Sequence, residues 1–377
     1  MSFRAAFSCT TLLSGSYKAF RSAYTGTQGG GLWFWFWLAR SGGECFSMRI
    51  RPCDMRAAWG RHRWLPLLLP QCRSVDQALV EFGWMQGLAP DNIVQGNAVQ
   101  GNAVPGNTAA RRLLRGCAAR FRGVPLQYVL GSQPFGAAEL VCRPGVLIPR
   151  WETEEWALKL ARAIARYSSQ QPLAQPLKLT LVDLCTGTGC VPIGIHDELA
   201  RAPSLIKYTA VDVSPQAIDL CRLNVGRRAI EVKQVDVLRR DSPADIVGGL
   251  GLGRGLGLGR GPAIDILLCN PPYIPRKAFT RTTARSVRLY EPRLALIADK
   301  EFYKNLVDVW SQHTNSFVYE IGDSSQYEYV KQALDPSVWS VGLHIDSNGC
   351  PRAVYGYRNS IPSIAYIFEE FKQPRYV

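Results

Sequence analysis

From residue 178 onward, short apolar and β-branched runs alternate with helix-length segments, and this alternation restricts the fold more than any other feature. The runs are LTLVDLC (179–185), YTAVDV (208–213), EVKQVD (231–236), IDILLCN (264–270) and SFVYEIG (316–322), with stretches such as SPQAIDLCRLNVGRR between them. Strands separated by helical crossovers pair in parallel, and the helices cover both faces of the sheet. The predicted fold class is therefore α/β, a doubly wound parallel sheet. In such sheets ligands lie beyond the carboxyl ends of the strands. Each of the five runs has an Asp, Glu or Asn among its last three residues, so every motif described next falls on one edge of the sheet.

The first run leads into Asp183-Leu-Cys185-Thr186-Gly187-Thr188-Gly189, after which a helix should begin. Glycines at 187 and 189 let a cofactor approach the backbone, and the helix N-terminus offers amide donors. A third glycine three residues further on would indicate a dinucleotide pyrophosphate, but position 192 is Pro, which suits a first helical turn instead. The second run reaches Asp212, 23 residues beyond Gly189, where a carboxylate can accept hydrogen bonds from both ribose hydroxyls. The alternative role for such an acid is capping the helix that follows. The third run ends at Asp236, followed by Val237, a carboxylate for the exocyclic amine of adenine and an apolar wall for its face. An adenosine site without a pyrophosphate cradle matches S-adenosyl-L-methionine.

The fourth run stops at Asn270-Pro271-Pro272-Tyr273. A carboxamide or aromatic amine has its nitrogen lone pair delocalised, so it attacks a methyl sulfonium poorly unless it is held in line. Asn270 can offer its side-chain oxygen and Pro271 its carbonyl to the two N–H bonds of a planar NH2 group, and the prolines fix that carbonyl because their φ is locked. Tyr273 can stack on the flat group. Positioning then supplies most of the catalysis. The tetrad alone fits glutamine side chains and adenine amines equally.

The remainder of the 377-residue chain is long enough for a second, smaller domain. SVDQALVEFGWMQ opens with Ser74 and Gln77 in capping-box register and places Ala78, Leu79, Phe82 and Met85 on one helical face. RRLLRGCAARFRG (111–123) is a second amphipathic stretch. The expected organisation is a basic leader at 1–63, a helical domain at 64–135 and a catalytic domain at 136–377. Two low-complexity segments interrupt it: the QGNAV-type repeat at 95–109 and a Gly-rich insertion at 248–261, whose alternate glycines form no phosphate-binding register.

Residues 1–73 hold ten bases (Arg4, Lys18, Arg21, Arg40, Arg49, Arg51, Arg56, Arg61, Arg63, Arg73) against Glu44 and Asp54. They account for +8 of the formal +14, leaving the other 304 residues only +6, which is weak support for a nucleic-acid partner. An Arg-rich, acid-poor N-terminus reads as a mitochondrial presequence, or else as a disordered basic tail, and Met48 and Met55 are alternative starts. The apolar cluster LWFWFWLA (32–39) is far short of the roughly 20 residues that span a bilayer, so no membrane partner is expected. Eleven scattered cysteines without a C-x-x-C pair, and four separated histidines, give no zinc pattern, so no metal is expected. Most of the thiols should be small buried hydrophobes.

VPLQYVLGSQPFG (124–136), RPGVLIPRWETEEW (143–156), the tetrad, VRLYEPRLAL (287–296) and VYEIGDSSQ (318–326) together resemble the HemK/PrmC family of release-factor glutamine N5-methyltransferases, in its fungal mitochondrial form. The resemblance implies a class I S-adenosylmethionine-dependent methyltransferase fold and a helical domain that grips a mitochondrial class I peptide-chain release factor. It implies methylation of the glutamine in the factor's Gly-Gly-Gln loop, by a monomer in the mitochondrial matrix without direct nucleic-acid contact. By position, the cofactor loop falls on Cys185 to Gly189, the ribose acid on Asp212, the adenine contacts on Asp236 and Val237, and the substrate motif on Asn270 to Tyr273. Cys185 stands where the family usually has glycine, so the backbone there must accept a Cβ, and Trp151 stands where bacterial members have proline. Arg150 and Glu152 can pair to shape the site, but an exposed pair is the expected outcome. The alternatives are an adenine-N6 methyltransferase acting on DNA or RNA, and an inactive release-factor-binding scaffold.

Overall fold

The computed structural model describes residues 50–87, 108–172, 177–200, 202, 204–247 and 263–372. The expected leader up to residue 49, nearly all of the 95–109 repeat and the whole 248–261 insertion lie outside the described residues. The chain divides into two compact units.

The helical unit contains α1 (Pro52–Arg61), α2 (Val75–Gln86) and the Leu113–Phe121 part of α3 (Thr108–Phe121). Ala78, Phe82 and Met85 of α2 are buried as the periodicity requires, while Leu79 is half-buried. Only half of the expected capping box forms: the Gln77 N–H donates to Ser74 Oγ at 3.1 Å. Arg120 and Glu81 meet in a two-pronged ion pair at 2.8 and 2.9 Å. Residues 52–61, which the sequence reading gave to the leader, are helical with Met55 and Ala58 buried, because an apolar i, i+3 pair needs a partner surface. Thr108 and Ala109, read as the end of the repeat, open α3.

The larger unit includes the short helix Leu126–Leu130 and a hairpin of β1 (Ser132–Phe135), which the sequence reading gave to the helical domain, and β2 (Ala138–Val141), which it gave to the catalytic domain. Then come α4 (Trp151–Ser169), β3 (Leu177–Leu184), α5 (Cys190–Glu198), β4 (Ser204–Asp212), α6 (Pro215–Val225), β5 (Ile230–Gln234) and β6 (Ile266–Cys269). They are followed by α7 (Glu301–Asp308), β7 (Ser316–Glu320), α8 (Ser324–Ala333), β8 (Trp339–Ile345), β9 (Pro351–Arg358) and α9 (Pro362–Lys372). The seven-stranded sheet runs β5-β4-β3-β6-β7-β9-β8, with β9 antiparallel to both its neighbours and the other pairings parallel. All five expected strands are present. β8 and β9 went unread because Gly342 in the one, and Arg352, Gly356 and Arg358 in the other, break up their apolar patterns. The C-terminal segment forms α9, which buries Ile364, Ile367, Phe368 and Phe371.

Two apolar layers sandwich the sheet, one around Trp156, Ile164, Leu179 and Phe368, the other around Val182, Leu267, Tyr303 and Trp310. The strand order reverses between β3 and β6, which opens a crevice at their carboxyl ends. Leu184 is level with Cys269 across this pair. The Cys185–Gly189 loop and the tetrad from Asn270 therefore leave the sheet side by side.

Candidate active site

Immediately after β3 the backbone turns left-handed three times, at Cys185 (φ +56°), Gly187 (φ +55°) and Gly189 (φ +81°). Glycine is needed at 189, where a Cβ would stand 2.8 Å from Cys221 Sγ and 3.3 Å from Ile193 Cδ1. At Gly187 a Cβ would meet only Val146 Cγ1, at 4.0 Å. Cys185 is one of only two non-glycine residues with positive φ among the described residues, a backbone conformation that a Cβ disfavours. The loop is tied down by Thr186 N–H donating to Val211 O and Gly189 N–H to Thr186 O, both at 2.9 Å.

Two carboxylates lie behind this loop. Asp183 is 1% exposed and accepts the Thr186 hydroxyl at 2.5 Å. Burial, reinforced by the charge of nearby Asp212, pushes its carboxyl up to about 8. Asp212 accepts the Gly187 N–H on Oδ2 and the Ser214 N–H on Oδ1, each at 2.9 Å. Burial raises its pKa while these backbone donors oppose the rise. Asp212 therefore serves loop and helix entry at once. Asp236 lies two residues past β5, exposed, with Oδ1 accepting the Leu238 N–H at 3.0 Å, and Val237 is buried.

The tetrad is held from behind by a buried carboxylate. Glu320, the last residue of β7, is 1% exposed. Its Oε2 accepts the Thr153 hydroxyl at 2.6 Å and the Trp156 indole N–H at 3.0 Å, and its Oε1 accepts the Tyr273 phenol at 3.2 Å. Asn270 Nδ2 donates to Thr153 Oγ1 at 3.1 Å. The Tyr273 ring lies so close to Gly322 that a Cβ there would be 2.8 Å from Tyr273 Cδ2. Gln326 closes the turn: its Nε2 donates to Tyr273 O at 3.1 Å while its Oε1 accepts the Gly322 N–H at 2.7 Å. A capping box formed by Asp323 and Gln326 starts α8 at this point.

A cleft of about 770 Å³, counting its open mouth, is lined by Asp183, Cys185, Thr186, Gly187, Thr188, Asp212, Asn270 and Pro272 among the expected residues. Gly189, Pro271, Tyr273, Asp236 and Val237 do not line it. Residues the sequence reading had not singled out for the site also contribute: Val146, Thr153, Ser214 and Leu294. Arg150 lines it too, and the expected exposed pair with Glu152 is not what forms. Arg150 instead donates to Glu291 Oε1 at 2.6 Å, and the Ile148 N–H donates to Glu291 Oε2 at 3.2 Å. Glu291 is 5% exposed, and such a buried carboxylate needs a cation more than the half-exposed Glu152 does.

No family model matches the chain. Among curated proteins it is 37% identical over 316 residues to the mitochondrial MRF1 N(5)-glutamine methyltransferase of Saccharomyces cerevisiae, covering 82% of this chain and 89% of that one. The chain belongs to the release factor glutamine methyltransferase family. A Schizosaccharomyces pombe relative, a probable MRF1 mitochondrial N(5)-glutamine methyltransferase, is 34% identical over 264 residues, covering 65% of this chain and 78% of that one. The release factor glutamine methyltransferase of Chlorobaculum tepidum is 34% identical over 199 residues, 50% of this chain and 59% of that one. A release factor glutamine methyltransferase must align an amide nitrogen whose lone pair is delocalised, and Asn270 is a side-chain amide that lines the cleft.

Proposed function

We propose that this chain methylates the side-chain nitrogen of the glutamine in the Gly-Gly-Gln loop of a mitochondrial class I peptide-chain release factor, with S-adenosyl-L-methionine as the methyl donor, in the mitochondrial matrix. The observation that carries the reading is Asn270. It lines the cleft next to the loop after β3, and its Oδ1 has no hydrogen-bond partner among the described residues. The two yeast relatives, both named as mitochondrial methyltransferases of MRF1, support the substrate and the compartment.

The residues present suit the cofactor. Asp183, buried, and Asp212, half-buried, line the cleft where an adenosylated cation would lie, and the backbone at Gly187 is open to close approach. When bound, S-adenosyl-L-methionine supplies an electrophilic methyl carbon on a sulfonium. Asp212 is the acid we assign to the ribose, and Asp236 with Val237 to the adenine. Asn270 Oδ1 and the Pro271 carbonyl accept the two N–H bonds of the glutamine amide, which raises electron density on its nitrogen and fixes its direction. The proton leaves after methyl transfer, so the tetrad needs no general base. The helical unit is the part we assign to gripping the release factor.

The test is incubation of the purified chain with labelled cofactor, a recombinant mitochondrial release factor and the factor's Gln→Ala variant. Label on the parent factor alone is expected. Label on both factors, or on oligonucleotides instead, overturns the assignment.

A further inference from the structure

Thr153 has one hydroxyl proton, and its two contacts settle where that proton goes. Ionised Glu320 can only accept, so at 2.6 Å the Thr153 hydroxyl donates to Oε2. What remains on Thr153 Oγ1 facing Asn270 is a lone pair. Only the NH2 end of the Asn270 amide can meet a lone pair, at 3.1 Å. The orientation of the amide is thereby dictated from two residues away, and Asn270 Oδ1 is left toward the cleft that Asn270 lines. Reversing the amide would set an oxygen against an oxygen in a site where Thr153 and Glu320 are each 1% exposed, with no bulk water to relieve it.

The same carboxylate governs the far end of the tetrad. Glu320 Oε1 accepts the Tyr273 phenol at 3.2 Å, and the Tyr303 hydroxyl donates to the Glu320 carbonyl at 2.7 Å. The Trp156 indole N–H, at 3.0 Å on Oε2, fills a further acceptor site. One buried carboxylate thus sets both the first and the last residue of Asn270–Tyr273.

We infer that Thr153 and Glu320 are positioning residues for methyl transfer: through the hydroxyl of Thr153, the Glu320 carboxylate holds the Asn270 side-chain oxygen toward the cleft as the acceptor for the substrate amide. This rests on the reading above that the substrate is a glutamine amide aligned by Asn270. Neither residue touches the reacting atoms. Burial raises the Glu320 carboxyl, opposed by its Thr153, Trp156 and Tyr273 donors and by nearby Arg352, so the relay has an acid limb. Once Glu320 takes a proton, the Thr153 hydroxyl is no longer compelled to point at it, and the amide loses its fixed direction.

Thr153→Val keeps the shape and removes the hydroxyl. It should lower kcat by about 10- to 100-fold, the usual cost of releasing a support to a site residue. Cofactor Kd, read by calorimetry, and melting temperature should stay near the parent's. Thr153→Ser should restore kcat to within about threefold. Glu320→Gln can donate to Thr153 Oγ1 and let the hydroxyl turn to the Asn270 oxygen, so its low kcat should lose the acid limb that the parent shows. A Thr153→Val enzyme with parental kcat, or one whose kcat and cofactor affinity fall together, overturns the inference. So does a Thr153→Ser enzyme no better than Thr153→Val. A readout independent of activity separates this inference from the assigned reaction: the Asn270 side-chain amide protons, followed by 15N-edited NMR, should exchange slowly in the parent and in Thr153→Ser but fast in Thr153→Val. If the parent methylates no release factor, the reaction assignment falls while the exchange pattern still decides the relay, and equal exchange in all three proteins overturns it.

Discussion

Gly187 donates its backbone N–H to Asp212 Oδ2 across 2.9 Å, so the acid at the end of β4 holds the turn at the end of β3. The other oxygen takes the Ser214 N–H at 2.9 Å, immediately before α6. One side chain therefore fixes the two backbone segments that border the cofactor side of the cleft.

Asp212→Asn keeps the size and one acceptor but turns an NH2 toward one of the two backbone donors. A hydrogen bond to a charged group is worth roughly 1.5–3 kcal/mol, so cofactor affinity should fall about tenfold or more and stability by about 1–2 kcal/mol. Calorimetric titration with S-adenosyl-L-methionine and thermal melting check both. Parental affinity would show that Asp212 serves the loop alone.

Asp183 gives a pH dependence of defined sign. Its carboxyl, about 3.8 when free, is pushed up to about 8 by burial in the fold. Across that window the unfolded chain has released the proton that the folded chain still holds. Stability from this group is full below the lower value, falls as pH rises, and levels off above about 8. Asp183→Asn cannot ionise and keeps an acceptor for Thr186. Its melting temperature should decline less between about pH 5 and about pH 8 than the parent's, by a few degrees, equivalent to about 1–2 kcal/mol. Parallel curves for the two proteins would mean that Asp183 is ionised throughout.

Cys185, at φ +56°, carries a side chain in a backbone region that favours glycine. Removing the Cβ relieves about 1–2 kcal/mol of left-handed strain and returns roughly 0.5–1 kcal/mol to the flexibility of the unfolded chain. Cys185→Gly should therefore be neutral or slightly stabilising, within about 1 kcal/mol, and leave cofactor binding intact. Cys185→Val, β-branched at the same φ, should lose about 2–3 kcal/mol. Denaturant melts of the two variants give the comparison, and equal stabilities would show that the loop relaxes away from this φ.

Arg150→Met strands the Glu291 carboxylate, which is 5% exposed and keeps only the Ile148 N–H. Breaking a buried pair from one side costs about 3–5 kcal/mol, and somewhat less here because the Arg150 side chain is 31% exposed. Adding Glu291→Gln should recover at least about 1 kcal/mol. A cycle with no recovery would show that the two side chains contribute independently.

The alternation of β3 to β7 with helices, the edge of the sheet on which the motifs lie, and the glycine turns at 187 and 189 after β3 were written in local sequence. Apolar periodicity, a strand-ending Asp and glycine spacing each act within a few residues, so they can be read without the fold. Asp183, Gly187, Asp212 and Asn270 were legible for that reason. Thr153 and Glu320 carried no local sign of their role, because they meet across 167 residues of chain and their meaning is a hydrogen bond. Arg150 offered Glu152 as its nearest partner in sequence, yet burial of Glu291 decided the pairing. The helix at 52–61 looked like leader by its charge, and only the burial of Met55 and Ala58 revealed it as part of a core. Local sequence named Asp183, Gly187, Asp212 and Asn270 among the residues that line the cleft, but not Val146, Thr153, Ser214 or Leu294. Which way the Asn270 amide points was decided by a buried carboxylate that only folding brings to it.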